Sequence, residues 1–147
     1  MPPEWAVSGR DGTHTIRKVT DNGHFLILDD GSVWKSDDSS ESDGWSDGDE
    51  VFVRGDMIIN LSQSGEKIEA NCEERGCIIV AETHVRGDFE GSDKPAVLDN
   101  GMIFEFTTYH YHYAYHPEVV VLSCRFAGHV LYKLIIDDEI YGAIRLR

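Results

Sequence analysis

Between Leu28 and Lys35 the chain reads Leu-Asp-Asp-Gly-Ser-Val-Trp-Lys, and between Leu98 and Glu105 it reads Leu-Asp-Asn-Gly-Met-Ile-Phe-Glu. Asp30-Gly31 and Asn100-Gly101 are dipeptides that accept positive φ at both centres of a two-residue type I′ turn, and apolar runs flank each of them. Two related β-hairpins are therefore expected. Glu50-Val51-Phe52-Val53 is answered by Glu118-Val119-Val120-Val121, and each stretch is followed by a further strand pair, ending in Ile68-Glu69-Ala70 or Tyr141-Gly142-Ala143. This pattern predicts an all-β chain with little helix. Two diverged copies of a small antiparallel β-barrel or sandwich unit, packed together, are expected over 1–85 and 86–147. Two copies make a pair of modules, since a solenoid needs three or more.

The intervening stretches agree. Short strands separated by Gly, Asn and Asp recur along the chain, which suits a barrel or sandwich. Glu4 to Ser8 reads as an edge strand and Asp21-Asn22-Gly23 as a turn. Ile78, Ile79, Val80 and Ala81 suggest a strand buried on both faces. Arg86 to Pro95 is a polar connector. A unit of about 70 residues buries too little surface to be secure alone, so a shared interface is expected.

No run of 18 apolar residues exists to span a membrane, and Met1-Pro2-Pro3-Glu4-Trp5 lacks the basic and apolar character of a secretory signal. The expectation is a soluble, cytoplasmic protein. Three cysteines make no disulfide framework. Cys72 and Cys77 flank Glu73-Glu74-Arg75-Gly76, which reads as a hairpin turn, and they are expected as two reduced thiols close enough to bridge under oxidation.

What each copy inserts between its hairpin and its Glu-Val-x-Val strand differs. The first carries residues 36–50, with Asp37, Asp38, Glu41, Asp43, Asp47, Asp49 and Glu50 acidic and none basic. The second carries residues 107–118, Thr-Thr-Tyr-His-Tyr-His-Tyr-Ala-Tyr-His-Pro-Glu. Trp45 aligns with Tyr113, which suggests an aromatic anchor common to both inserts. Alternation puts Tyr109, Tyr111, Tyr113 and Tyr115 on one face and His110, His112 and His116 on the other, if the stretch is a strand. The favoured reading buries the tyrosines and turns the histidines to solvent. A bulge or turn is expected near Thr107-Thr108, where the apolar phase switches.

His110, His112 and His116 are the candidates for metal ligation, yet imidazoles from one strand need a further converging ligand. The acidic insert lacks the order of a calcium loop. No cofactor is expected. Nor is there a Gly-x-Ser-x-Gly, a His-Glu-x-x-His or a glycine-rich loop opening a helix.

Charge narrows the partners. The net charge is −14, with 16 acidic and 6 basic residues in 1–73 and 11 and 7 in 74–147. A phosphate backbone would be repelled, which disfavours direct nucleic-acid binding. A basic protein partner is favoured instead, because complementary fields speed encounter. The partner-binding candidates are Asp37, Asp38, Glu41, Asp43, Trp45, Asp47 and Asp49, with Tyr109, Tyr111 and Tyr113.

Trp34 and the Trp45-x-x-Gly48-Asp49-x-Val51-x-Val53 run give residues 13–70 a pattern that resembles an SH3-like small β-barrel, in tandem here. In the second copy Gly48-Asp49 is replaced by His116-Pro117. Size and acidity resemble the immunity proteins that bacteria pair with cationic nuclease toxins. These resemblances imply a non-enzymatic inhibitor of a basic protein. The alternatives are a metal-binding or hydrolytic enzyme using His110, His112 and His116, and a modular peptide-binding or assembly protein.

Overall fold

The computed structural model describes residues 8–20 and 23–147. The edge strand expected at Glu4–Ser8, apart from Ser8, and the Asp21-Asn22 part of the next turn lie outside them. The chain divides into two compact units: one ends at Cys77 and includes Arg125–Ala127, the other comprises Ile78–Cys124 and Gly128–Arg147.

Unit 1 is a closed antiparallel barrel of six strands, β1 (Gly12–Val19), β2 (Phe25–Leu28), β3 (Val33–Ser36), β4 (Glu50–Arg54), β5 (Met57–Asn60) and β6 (Glu66–Glu74), in the order β1-β2-β3-β6-β5-β4. Alternation along β4 turns Val51 and Val53 inward and leaves Glu50, Phe52 and Arg54 outside, the pattern of a strand with one buried face. Its core gathers Ile16, Leu26, Leu28, Trp34, Trp45 and Ile68 with those valines.

Unit 2 holds β7 (Cys77–His84), β8 (Asp88–Glu90), β9 (Ala96–Val97), β10 (Ile103–Phe106), β11 (Tyr113–Tyr115), β12 (Glu118–Phe126), β13 (His129–Ile136) and β14 (Glu139–Arg145). Its main sheet has the order β7-β12-β13-β14-β10-β9, and β8 pairs with β11 in a two-stranded sheet of their own. The boundary between units precedes the Val85/Arg86 junction read from the sequence because β7 joins the sheet of unit 2. Past the ends of β7 and β9, a single antiparallel bridge links Val85 to Leu98. In unit 1 Ile16 faces Leu28 in the same way. With β1 to β6 matched to β7, β9, β10, β12, β13 and β14, each hydrogen-bonded neighbour relation of one sheet recurs in the other.

The hairpin turns also correspond, though their type differs from the expected I′. In unit 1 the Gly31 amide donates to the Leu28 carbonyl (3.0 Å) and Leu28 to Ser32 (2.9 Å); in unit 2 Gly101 donates to Leu98 (2.9 Å) and Leu98 to Met102 (2.9 Å). Only the glycines have positive φ, 85° and 90°, so each loop is a three-residue turn that ends in a left-handed glycine. Asp30 and Asn100 stay out of the left-handed region because their side chains accept from the amides of Ser32 and Met102, both at 3.0 Å.

Other expectations change. Ile78 and Val80 are 65% and 40% exposed, so β7 is buried on one face only and its apolar run overstates its burial. β6 pairs with β3 and β5 and forms no hairpin with β7; Cys77 and Cys124 are disulfide-bonded, so of the two thiols expected to be reduced Cys72 alone is free. Among the described residues no helix is long and apolar enough to cross a membrane.

Candidate functional site

The first insert is ordered by its own carboxylates. Asp38 starts a single helical turn, α1 (Ser39–Ser42), by accepting from the amide (3.0 Å) and hydroxyl (2.6 Å) of Ser40, which shows that even this acidic stretch can form helix when a cap satisfies its first turn. Those two bonds, the hydroxyl's first, hold the Asp38 carboxyl below the usual carboxylate range. Asp37 accepts from the Asn71 side chain at 3.2 Å, and its amide donates to the Glu69 carbonyl at 3.0 Å. Asp37, Asp38 and Glu41 thereby line an open cleft of about 360 Å³ with Glu69, Met57 and Lys67.

The rest of the insert faces inward or stands apart from this cleft. Trp45 is 4% exposed and packs in the barrel core, so it is an anchor and not a surface contact for a partner. Asp47 accepts from the Val19 amide at 2.8 Å. Asp49 accepts from the Asn60 side chain (2.9 Å) and the Ser46 amide (3.0 Å). Burial pushes the Asp49 pKa up, but these bonds with that from Gln63 outweigh it and hold the group low. Both carboxylates fasten the loop. Asp43 follows α1 and is exposed.

The second insert turns its tyrosines outward against expectation: Tyr109, Tyr111, Tyr113 and Tyr115 are 74%, 82%, 57% and 77% exposed. His110 and His116 are exposed as expected, and His112 is half-buried. His112 Nε2 lies 2.5 Å from Asp137 Oδ2. The His110 ring meets Tyr141 edge-on at 5.6 Å, with Glu139 3.8 Å from its Nε2. Phe89, from the connector, takes the interior place instead: it is buried in the unit 2 core, with its ring 5.6 Å from that of Tyr141 and 6.3 Å from that of His112.

Backbone contacts hold this arrangement. The chain bends at Thr107-Thr108, as the phase switch predicts, and Thr107 donates to the Gly142 carbonyl at 2.8 Å. Only Tyr113–Tyr115 is strand, pairing with Asp88–Glu90. Tyr113 stands beside Asp88 and Glu90, whose charges, that of Asp88 first, raise its pKa together with partial burial and a hydrogen bond to Asp88. Tyr113 therefore lies in an acidic setting.

His110, His112 and His116 do not converge as a ligand set, since His110 and His112 face Glu139 and Asp137 while His116 faces Asp99. Among the described residues two other groups place ligand atoms within 4.8 Å of one another: His84, Asp99 and His116, and His14, Asp29 and Asp30. The sequence alone does not place His84 and reads Asp99 only as part of a hairpin, although each lies seventy residues beyond His14 or Asp29, the spacing of the hairpin repeat. No family model, no curated protein and no solved structure matches the chain.

Proposed function

We propose that the protein is a non-enzymatic binding protein that engages a positively charged macromolecule, acting as an inhibitor of the immunity type on a basic protein such as a nuclease toxin. In this reading the two units are SH3-like barrels that serve as scaffolds for unlike inserts. The observation that carries it is the row of four tyrosines, each more than half exposed, on an insert held from behind by histidine–carboxylate pairs. Tyrosine offers a large apolar surface with few rotatable bonds, and its ring face attracts Lys and Arg. Asp88 and Glu90 beside the row, and the net charge of −14, supply the complementary field. The cleft lined by Asp37, Asp38 and Glu41 provides a second acidic face for the same class of partner.

The test uses an arginine-rich peptide and a glutamine-substituted control. The native protein should bind the first alone, and added salt should slow association. Replacing Tyr109, Tyr111 and Tyr113 with serine should weaken binding by about tenfold or more, the effect of losing aromatic anchors. Neutralising Asp37, Asp38, Glu41 and Asp43 should act mainly on the association rate. Affinity indifferent to salt and to both sets of substitutions would contradict the proposal.

A further inference from the structure

We infer that His84, Asp99 and His116 form a binding site for a divalent zinc-class cation, located where the second insert rejoins the sheet. Two imidazoles and one carboxylate are the donors that a borderline-soft ion such as Zn²⁺ prefers over Ca²⁺ or Mg²⁺, and three protein ligands leave a fourth position for water.

The backbone fixes each donor. His84 ends β7, and its carbonyl accepts from the Asp99 amide at 2.9 Å. The His116 amide donates to the Gly87 carbonyl at 2.8 Å. The rings of His84 and His116 lie nearly parallel, with centroids 4.7 Å apart, and His116 Nε2 is 2.7 Å from Asp99 Oδ2. A tetrahedral ion about 2.1 Å from each donor sets the donors about 3.4 Å apart. Ligand atoms already within 4.8 Å of one another reach that spacing by side-chain rotation.

Comparison with unit 1 sharpens the assignment. His116 has φ 48°, a left-handed conformation that disfavours residues other than glycine, and unit 1 has Gly48 at the corresponding position with φ 91°. The second copy thus places an imidazole at a position the scaffold builds for glycine. The corresponding group in unit 1, His14 with Asp29 and Asp30, has one imidazole in place of two, and the Nε2 of that ring lies 3.0 Å from the Arg10 carbonyl oxygen.

The experiment is calorimetric titration of the full chain with zinc chloride. The native protein should bind one ion per chain at this site. His116→Gly keeps the backbone conformation and removes the ligand, so it should fold normally by circular dichroism and weaken zinc binding by about 100-fold or more, beyond the loss typical of outer-sphere partners. His84→Ala and Asp99→Asn should do likewise, whereas His110→Gln, His112→Gln and His14→Gln should bind as the native protein does. Native-like zinc affinity in His116→Gly, or loss of binding in His14→Gln alone, would overturn the assignment. The arginine-rich peptide reads the binding proposal separately, since it is measured in chelator.

Discussion

The insert of unit 1 sends Trp45 into the barrel core and fastens itself with Asp47 and Asp49, while the insert of unit 2 keeps its tyrosines outside and fastens itself with histidines. The sheets they leave and rejoin have corresponding strand neighbours. The decisive difference is where the added core aromatic comes from. In unit 1 the insert supplies it. In unit 2 Phe89 supplies it from the connector between β7 and β9, and the insert is then free to present phenols to solvent. Two sheets with corresponding strand neighbours can therefore carry unlike inserts in the same place, provided some other segment completes the core.

The comparison breaks first on stability. Trp45→Ala should cost about 3–5 kcal/mol and Phe89→Ala a similar amount, as large-to-small changes in packed cores do. Tyr113→Ala should stay within about 0.5 kcal/mol, the range of exposed sites. Urea denaturation of the variants reads this contrast. Equal losses for Trp45→Ala and Tyr113→Ala would refute it.

The hairpin glycines provide a second contrast. A Cβ at Gly31 would lie 2.8 Å from the Cys77 carbonyl oxygen and 2.9 Å from its amide nitrogen, whereas one at Gly101 would meet nothing within 4 Å. Both positions have positive φ, so alanine should cost about 1–2 kcal/mol at Gly101 from backbone strain alone. It should cost clearly more at Gly31, where the backbone must also shift. Thermal unfolding of the two variants distinguishes these outcomes.

A smaller effect should come from Tyr141. Its hydroxyl is buried and has no hydrogen-bond partner among the described residues, so Tyr141→Phe should stabilise the protein by about 1 kcal/mol. Burial, with Glu139, Asp138 and Asp137 nearby, pushes its pKa up to about 12. An acid whose folded pKa is raised favours the fold below its unfolded pKa, near 10, and loses that contribution as pH rises toward 12. The native protein should thus lose stability over that alkaline range, and Tyr141→Phe should lose less. The smallest effect lies at acid pH: Asp49 is held low, so its contribution is present above about pH 4 and falls away as pH drops through its folded pKa. Asp49→Asn should flatten that part of the stability curve.

The scaffold was legible because its signals are local. A turn dipeptide and its flanking apolar runs declare a hairpin, and Glu-Val-x-Val declares a strand with one buried face. The turn type was not, since Asp30 and Asn100 bond two residues ahead and transfer the positive φ to glycine alone. The facing of Tyr109 to Tyr115 was hidden for a different reason. Period-two alternation separates two faces but does not say which is inward, and that choice depends on Phe89, about twenty residues away in sequence. The His84, Asp99 and His116 cluster was likewise assembled by three strand ends that only the sheet topology brings together. The cysteine pairing followed the fold and not sequence proximity.

Light-induced nuclear polarisation of aromatic side chains measures the central contrast directly, because only rings that a dissolved dye can touch are enhanced. Tyr109, Tyr111, Tyr113 and Tyr115 should give strong signals, each lost on its own substitution by phenylalanine, while Trp45 stays silent. An enhanced Trp45 resonance beside four silent tyrosines would contradict the account.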